Sequence, residues 1–123
     1  MLRNILIVGI GGSLGSVARY LCQKYIHEWN PHPFPIGTFL VNVLGCFLIG
    51  IIYSLAEKGN LLGPEGRLLL ATGFCGGFTT FSAFALENVN LLKTGNIFYF
   101  GLYTAGSVFL GIAATWLGMA VSQ

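Results

Sequence analysis

Apolar positions fill this chain in four long blocks, at residues 4–26, 35–57, 67–92 and 97–121. The polar breaks between them centre on the stretches HEWNPHPFP, EKGNLLGPEGR and KTGN. A helix needs about 20 residues to cross a hydrocarbon core, and every block is long enough. The pattern therefore predicts an all-α integral membrane protein with four transmembrane helices, forming a single domain over residues 1–123. Those three stretches hold all four prolines, both histidines and most of the charges, which bounds the helices well.

The third block is the irregular one. Its segment TGFCGGFTTFSAF, residues 72–84, carries no charge, but Gly73, Gly76, Gly77 and the Thr79-Thr80 pair are poor material for a continuous helix. Gly77 is the midpoint of the uncharged run 68–86, so the sequence predicts a third helix broken near mid-membrane. Broken backbone at that depth is tolerated only where it is buried in protein or lines a cavity. Opened carbonyls there are ion ligands, so a bound cation or a polar pathway is expected. Phe78, Phe81 and Phe84 are spaced three apart and share a side wherever the chain is helical. They form either a packing ridge or a row of positive ring edges that can face a dehydrated anion.

Few polar groups interrupt the other blocks. An amide in hydrocarbon needs a partner, so Asn42 either bonds across a helix interface or offers its N–H donors to an anion. Arg19 in the first block anchors structurally, reaches for the interface, or sets a positive potential at the mouth of an anion path. Glu87 is either interfacial or lines an entrance. Gly11 with Gly15, and Gly73 with Gly77, have the small-xxx-small spacing of closely packed membrane helices.

Composition narrows the classes. The chain is 54% hydrophobic and 8% charged, against about a quarter charged in a soluble domain, so a water-soluble fold is not expected. Arg3 before an apolar run and the small residues Ser16 to Ala18 have the look of a signal peptide. Removing that segment would leave three spans and discard Arg19, so a retained helix is expected. Cys22, Cys46 and Cys75 lack metal or redox spacing and read as packing residues. His27 and His32 around Glu28 are too few and too poorly spaced for a metal site. The first-helix glycines miss the dinucleotide pattern at Leu14. Scattered basic residues give no nucleic-acid surface, and no nucleophile and base can be assembled within the spans, so an enzyme is not expected. With both termini on one side, Arg3, Lys58 and Arg67 stand against Lys24, Lys93 and Arg19. So even a balance sets almost no orientation and points to an assembly holding both, such as an antiparallel homodimer.

The runs GGFTTFSAF, GTFLVNVLG and GGSLGSVARY together resemble the Fluc (CrcB) family of small bacterial fluoride channels, through all four spans. The resemblance implies a dual-topology, antiparallel homodimer in the bacterial cytoplasmic (inner) membrane. Its two pores export fluoride passively and so protect the cell. It implies that Phe81 and Phe84 line the pore with Asn42 near the fluoride positions, and that Ser82, Thr80, Tyr103 and Ser107 add polar pore-side groups. Glu87, Thr115 and Arg19 would stand at the pore entrance. Backbone carbonyls of Gly76 and Thr79 would hold a structural Na+ at the dimer interface. Fluoride, a second copy and membrane lipid are the expected partners. Ala83 and Gly111 depart from the pattern, which bears on the extent of the polar track. The alternative is a small multidrug-type, dual-topology, proton-coupled transporter, whose family relies on an acidic residue within the first helix.

Overall fold

The computed structural model describes residues 1–29, 31, 33–58 and 62–122. Its helices α1 (Leu2–Trp29), α2 (Ile36–Glu57), α3 (Pro64–Lys93) and α4 (Ile97–Val121) are each long and apolar enough to cross a membrane. Two run further than the apolar blocks. α1 continues to Trp29 and takes Glu28 into its last turn, so the first helix does carry an acid, at its end and not within the span. α3 begins at Pro64, where Gly63 and a proline at the first helical position start it.

Termini are fixed by local chemistry. After Lys93 the chain reverses through Gly95, at φ +80° the only positive φ among the described residues. Its N–H donates to Leu92 O at 3.2 Å while Asn96 N–H donates to Leu91 O at 2.8 Å. This paired C-terminal cap needs the left-handed conformation that glycine adopts freely. The tight reversal lays α4 back along the second half of α3.

Two helix pairs make the body. α1 lies on the first half of α3, and α2 lies on α4. The predicted small-residue spacing is what joins the first pair: Gly11 and Gly15 of α1 meet the α3 backbone at Leu69, Gly73, Phe74 and Phe78, while Gly77 meets Gly12 and Ser16. Gly50 and Gly118 do the same between α2 and α4, against Thr115 and Phe47. In lipid, helices associate by such close backbone packing because burying apolar surface gains little. Arg3 and Glu65 pair at the exposed starts of α1 and α3, which therefore share one end of the bundle. Large apolar side chains such as Leu14, Phe98, Phe109 and Trp116 point outward, as a hydrocarbon surround requires.

Candidate functional site

α3 is not a regular helix. Leu68–Cys75 is wound as a π-helix, a form that occurs mostly as short segments at functional sites. One α-helical turn, Gly76–Phe78, follows it. The chain then extends through Thr79 (φ −87°, ψ 158°) and Thr80 (φ −149°, ψ 124°) before Phe81–Lys93 resumes. Of the residues expected to weaken the helix, the threonine pair is where it breaks, and Gly73, Gly76 and Gly77 stay helical. Gly73 and Gly77 are occupied in the α1 seam instead.

Several polar groups at the break find partners, two of them from distant helices. Asn42 on α2 takes both polar groups of Thr80: its Nδ2 donates to Thr80 O at 3.0 Å and its Oδ1 accepts from Thr80 N at 2.8 Å. Arg19 Nε on α1 donates to Gly77 O at 3.1 Å, so this guanidinium anchors the break from within the bundle and does not reach for the interface. Thr79 Oγ1 donates back to Cys75 O at 2.9 Å, closing the first half. Thr80 Oγ1 accepts from Ala83 N at 3.2 Å, which is an N-cap that starts the second half.

Beside the break lies a cavity of about 470 Å³, walled by Asn42, Gly76, Thr79, Phe81, Phe84 and Ser107 among others. The Phe81 and Phe84 rings lie 5.7 Å apart at 40°, and Phe81 is 79% exposed. Phe78 does not extend their row. It is buried and stacks on Phe74, because the extended Thr79 and Thr80 turn the two halves apart. Ser107 Oγ is buried with no hydrogen-bond partner. Such a group costs stability unless something is bound to it. Thr80 Oγ1 and Ser82 Oγ sit 3.4 Å apart at the same level.

A second polar group lies further along α3. Glu87 accepts from Thr38 Oγ1 and from Tyr103 Oη, each at 2.9 Å. Gln23 Nε2 in turn donates to Thr38 Oγ1 at 2.9 Å, so the chain of bonds joins all four helices. Phe84 continues the connection, its ring 4.9 Å from that of Tyr103. Glu87 also lines two smaller cavities, of about 300 Å³ and 390 Å³, that open towards the α1–α2 connection.

The predicted site residues therefore separate into groups. Asn42, Thr80, Phe81, Phe84 and Ser107 wall one cavity together with Gly76 and Thr79. Tyr103 is fully buried and its hydroxyl is taken by Glu87. Thr115, expected at an entrance, lies at the α2–α4 seam with its hydroxyl within hydrogen-bond reach of Cys46 O at 3.0 Å and Gly111 O at 3.1 Å. Gly111 faces Cys46 Sγ across that seam, where an added Cβ would lie at ordinary contact distance, 3.4 Å. Ala83 borders the 300 Å³ cavity. Among the described residues no three His, Cys, Asp or Glu side chains converge; His32 lies outside those residues. Thr38 and Gln23 were missed in the sequence, although each is a polar residue in an apolar block, the same signal that marked Asn42.

The family model described as "CrcB-like protein, Camphor Resistance (CrcB)" matches residues 6–119. A "Fluoride-specific ion channel FluC" of Prosthecochloris aestuarii is 51% identical over 97% of this chain and 92% of its own length. Proteins of the same name are 48% identical in Chlorobaculum tepidum, over 100% of this chain and 97% of theirs. The one from Flavobacterium psychrophilum is 43% identical, over 99% and 98%.

Proposed function

The chain belongs to the CrcB family, and we propose from that premise that it is a fluoride-selective channel. It is a multi-pass bacterial membrane protein that lets fluoride leave the cell passively and so protects it. The observation that carries this reading is the buried, unpartnered Ser107 hydroxyl in a cavity walled by the Phe81–Phe84 pair and the helix break. It offers a donor in a lining that is mostly apolar, which suits a small anion that must bind without sticking.

Fluoride enters an acidified cell as neutral HF and is trapped as the anion at the higher internal pH. A negative-inside membrane potential then drives it out through any selective path, with no energy source in the protein. Along that path Ser107 and one member of the hydrogen-bonded Thr80–Ser82 pair supply hydroxyl donors, Asn42 retains one amide N–H beyond the one it gives to Thr80, and the phenylalanine ring edges replace part of the lost hydration. Proteoliposomes should release fluoride rapidly on adding valinomycin and release little chloride. Phe81→Ile and Phe84→Ile should each slow fluoride by about two- to tenfold, the kinetic equivalent of one aromatic contact. Unchanged flux in both would reject the ring-edge path, and no fluoride release from assembled wild type would reject the channel.

The assembly is an antiparallel homodimer, a reading supported by the balanced charge of the two ends and by a cavity that opens on the outer face of the bundle, with Phe81 and Gly76 exposed beside it. A second copy would cover that face and complete the pores. The carbonyls of Gly76 and Thr79 suit a structural Na+ at the join. The Thr80 N–H that a continuous helix would give to Gly76 O goes to Asn42, and the extended Thr79 turns its own carbonyl away from the helix path. Bound there, the cation would supply positive charge and tie the two breaks together. Protein purified without sodium should melt at a lower temperature in N-methylglucamine than in Na+ at equal ionic strength, since an ion that binds only the folded form stabilises by mass action, by about 2.7 kcal/mol at a hundredfold excess over Kd. Equal melting in both media would remove Na+ from the assignment.

A further inference from the structure

A phenyl ring meets an anion differently with its edge and with its face, because the edge of its quadrupole is positive and the face negative. The torsion that turns the ring is soft and broadly populated, so neighbouring groups decide which part of Phe84 an ion meets. Two rings lie against it. Phe81 is 5.7 Å away but is itself 79% exposed, a loose support. Tyr103 is closer, at 4.9 Å and 55°, and fully buried. The setting of Phe84 therefore passes to whatever fixes Tyr103.

Three side chains bear on Tyr103 from other elements. Its hydroxyl is hydrogen-bonded to Glu87 at 2.9 Å, Phe39 of α2 tilts against its ring at 6.4 Å, and Phe34 meets it edge to face at 5.4 Å and 76°. Phe34 stands outside the helices, in the connection before α2, yet it is firmly held. Pro33 and Pro35 on either side restrict its backbone, and its carbonyl accepts from Ile36 N–H at 2.8 Å. Its ring also packs edge to face on Phe39, at 5.9 Å, and on Tyr99, at 5.8 Å. One side chain of the connection thus joins α2 to α4 over the Tyr103 ring.

We propose that Phe34 is a positioning residue of the ion path: by wedging Tyr103 against Phe84 it keeps the Phe84 ring turned edge-on to a passing anion. The proposal rests on the fluoride-channel reading. Phe34 is not among the residues that wall the 470 Å³ cavity, so its effect on Phe84 is carried by Tyr103. It does border the 300 Å³ cavity, and a direct action there is what the test must separate from the relay.

Phe34→Leu removes the ring and keeps apolar bulk, while Phe34→Tyr retains the ring; Phe34→Met replaces the leucine variant if that one does not assemble. With meta-fluorophenylalanine in place of Phe84, fluorine NMR of the full-length protein in lipid reads the freedom of that ring. Phe34→Leu should make the ring more mobile, and Phe34→Tyr should leave it as in wild type. Per assembled protein, Phe34→Leu should release fluoride about two- to tenfold more slowly, the range for losing the Phe84 edge itself, and Phe34→Tyr should conduct normally. In Phe84→Ile, where no ring is left to hold, Phe34→Leu should cost no further flux, the non-additivity of two residues acting in series. A flux loss that persists in full in Phe84→Ile would place the action of Phe34 at the 300 Å³ cavity and overturn the proposal. A fluorine signal unmoved by Phe34→Leu would overturn it too. Because that signal is read without transport, a wild type that moves no fluoride would sink the channel reading and leave the holding of Phe84 by Phe34 to stand or fall on the spectrum.

Discussion

Asn42→Ala should abolish fluoride conduction and lower thermal stability together, because one side chain holds both polar groups of an extended peptide at mid-membrane. Its loss leaves Thr80 N–H and Thr80 O without the partners they have at 2.8 Å and 3.0 Å. Each buried backbone group left unpaired costs about 1–3 kcal/mol, so the two together are a large part of the stability of a small domain. Asn42→Asp keeps an acceptor for Thr80 N–H but sets a second carboxylate oxygen against Thr80 O. It also adds a negative charge beside an anion cavity, so it should stop conduction as fully as alanine does. Fluoride efflux and the melting temperature of both variants would be measured side by side. A stable, conducting Asn42→Ala would show that the clamp is dispensable. A stable but non-conducting one would move the weight of Asn42 from the break to its remaining N–H on the ion.

The contrast between Asn42 and the glycines shows what could be read from the sequence and what could not. Four spans were legible because the length of an apolar block is itself the physical requirement for crossing hydrocarbon. A break in the third was legible too, and the Thr79-Thr80 pair was among the residues named for it; what was not legible is that the threonines open the helix while the glycines beside them stay helical. Glycine's poor helix propensity is a weak prior that tertiary context overrides, and here Gly73 and Gly77 serve a close approach to α1 that rewards the missing side chain. What opens the helix at Thr79 and Thr80 is the availability of replacement partners: Asn42, 38 residues upstream of Thr80, and Arg19, 58 residues from Gly77. Nothing in the local run TGFCGGFTTFSAF encodes them. The bonds among Gln23, Thr38, Glu87 and Tyr103 were hidden for the same reason: Glu87 and Tyr103 were named as candidates, but Gln23 and Thr38, which complete the chain from α1 and α2, look incidental until the bundle closes. Thr115 adds a feature the sequence did not show: the packing of α2 against α4 gives its hydroxyl a backbone carbonyl as partner.

Gly15→Leu should prevent assembly of the folded bundle, and Gly15→Ala should weaken it measurably, whereas Gly9→Ala, also in α1, should leave melting and flux unchanged. A Cβ at Gly15 would run into Phe74 O and lie 2.9 Å from Phe78 N, both of them backbone atoms that cannot rotate away. At Gly9 nothing lies within 4 Å. Overpacking of this kind costs about 1–3 kcal/mol where side chains can yield, and a backbone obstacle places alanine at the upper end of that range. The consequence reaches the site because Arg19 follows Gly15 by four residues and therefore lies on the same face of α1. To relieve the clash, α1 must withdraw from residues 74–78. That withdrawal stretches the Arg19 bond to Gly77 O and frees a carbonyl beside the break. Gly15→Ala should accordingly lose more fluoride flux than its fall in melting temperature alone would suggest, and Arg19→Met in an otherwise intact seam should reproduce the flux loss. If Gly15→Ala melts and conducts like wild type, α1 is not held at backbone contact against α3, and the anchoring of the break by Arg19 loses its structural basis.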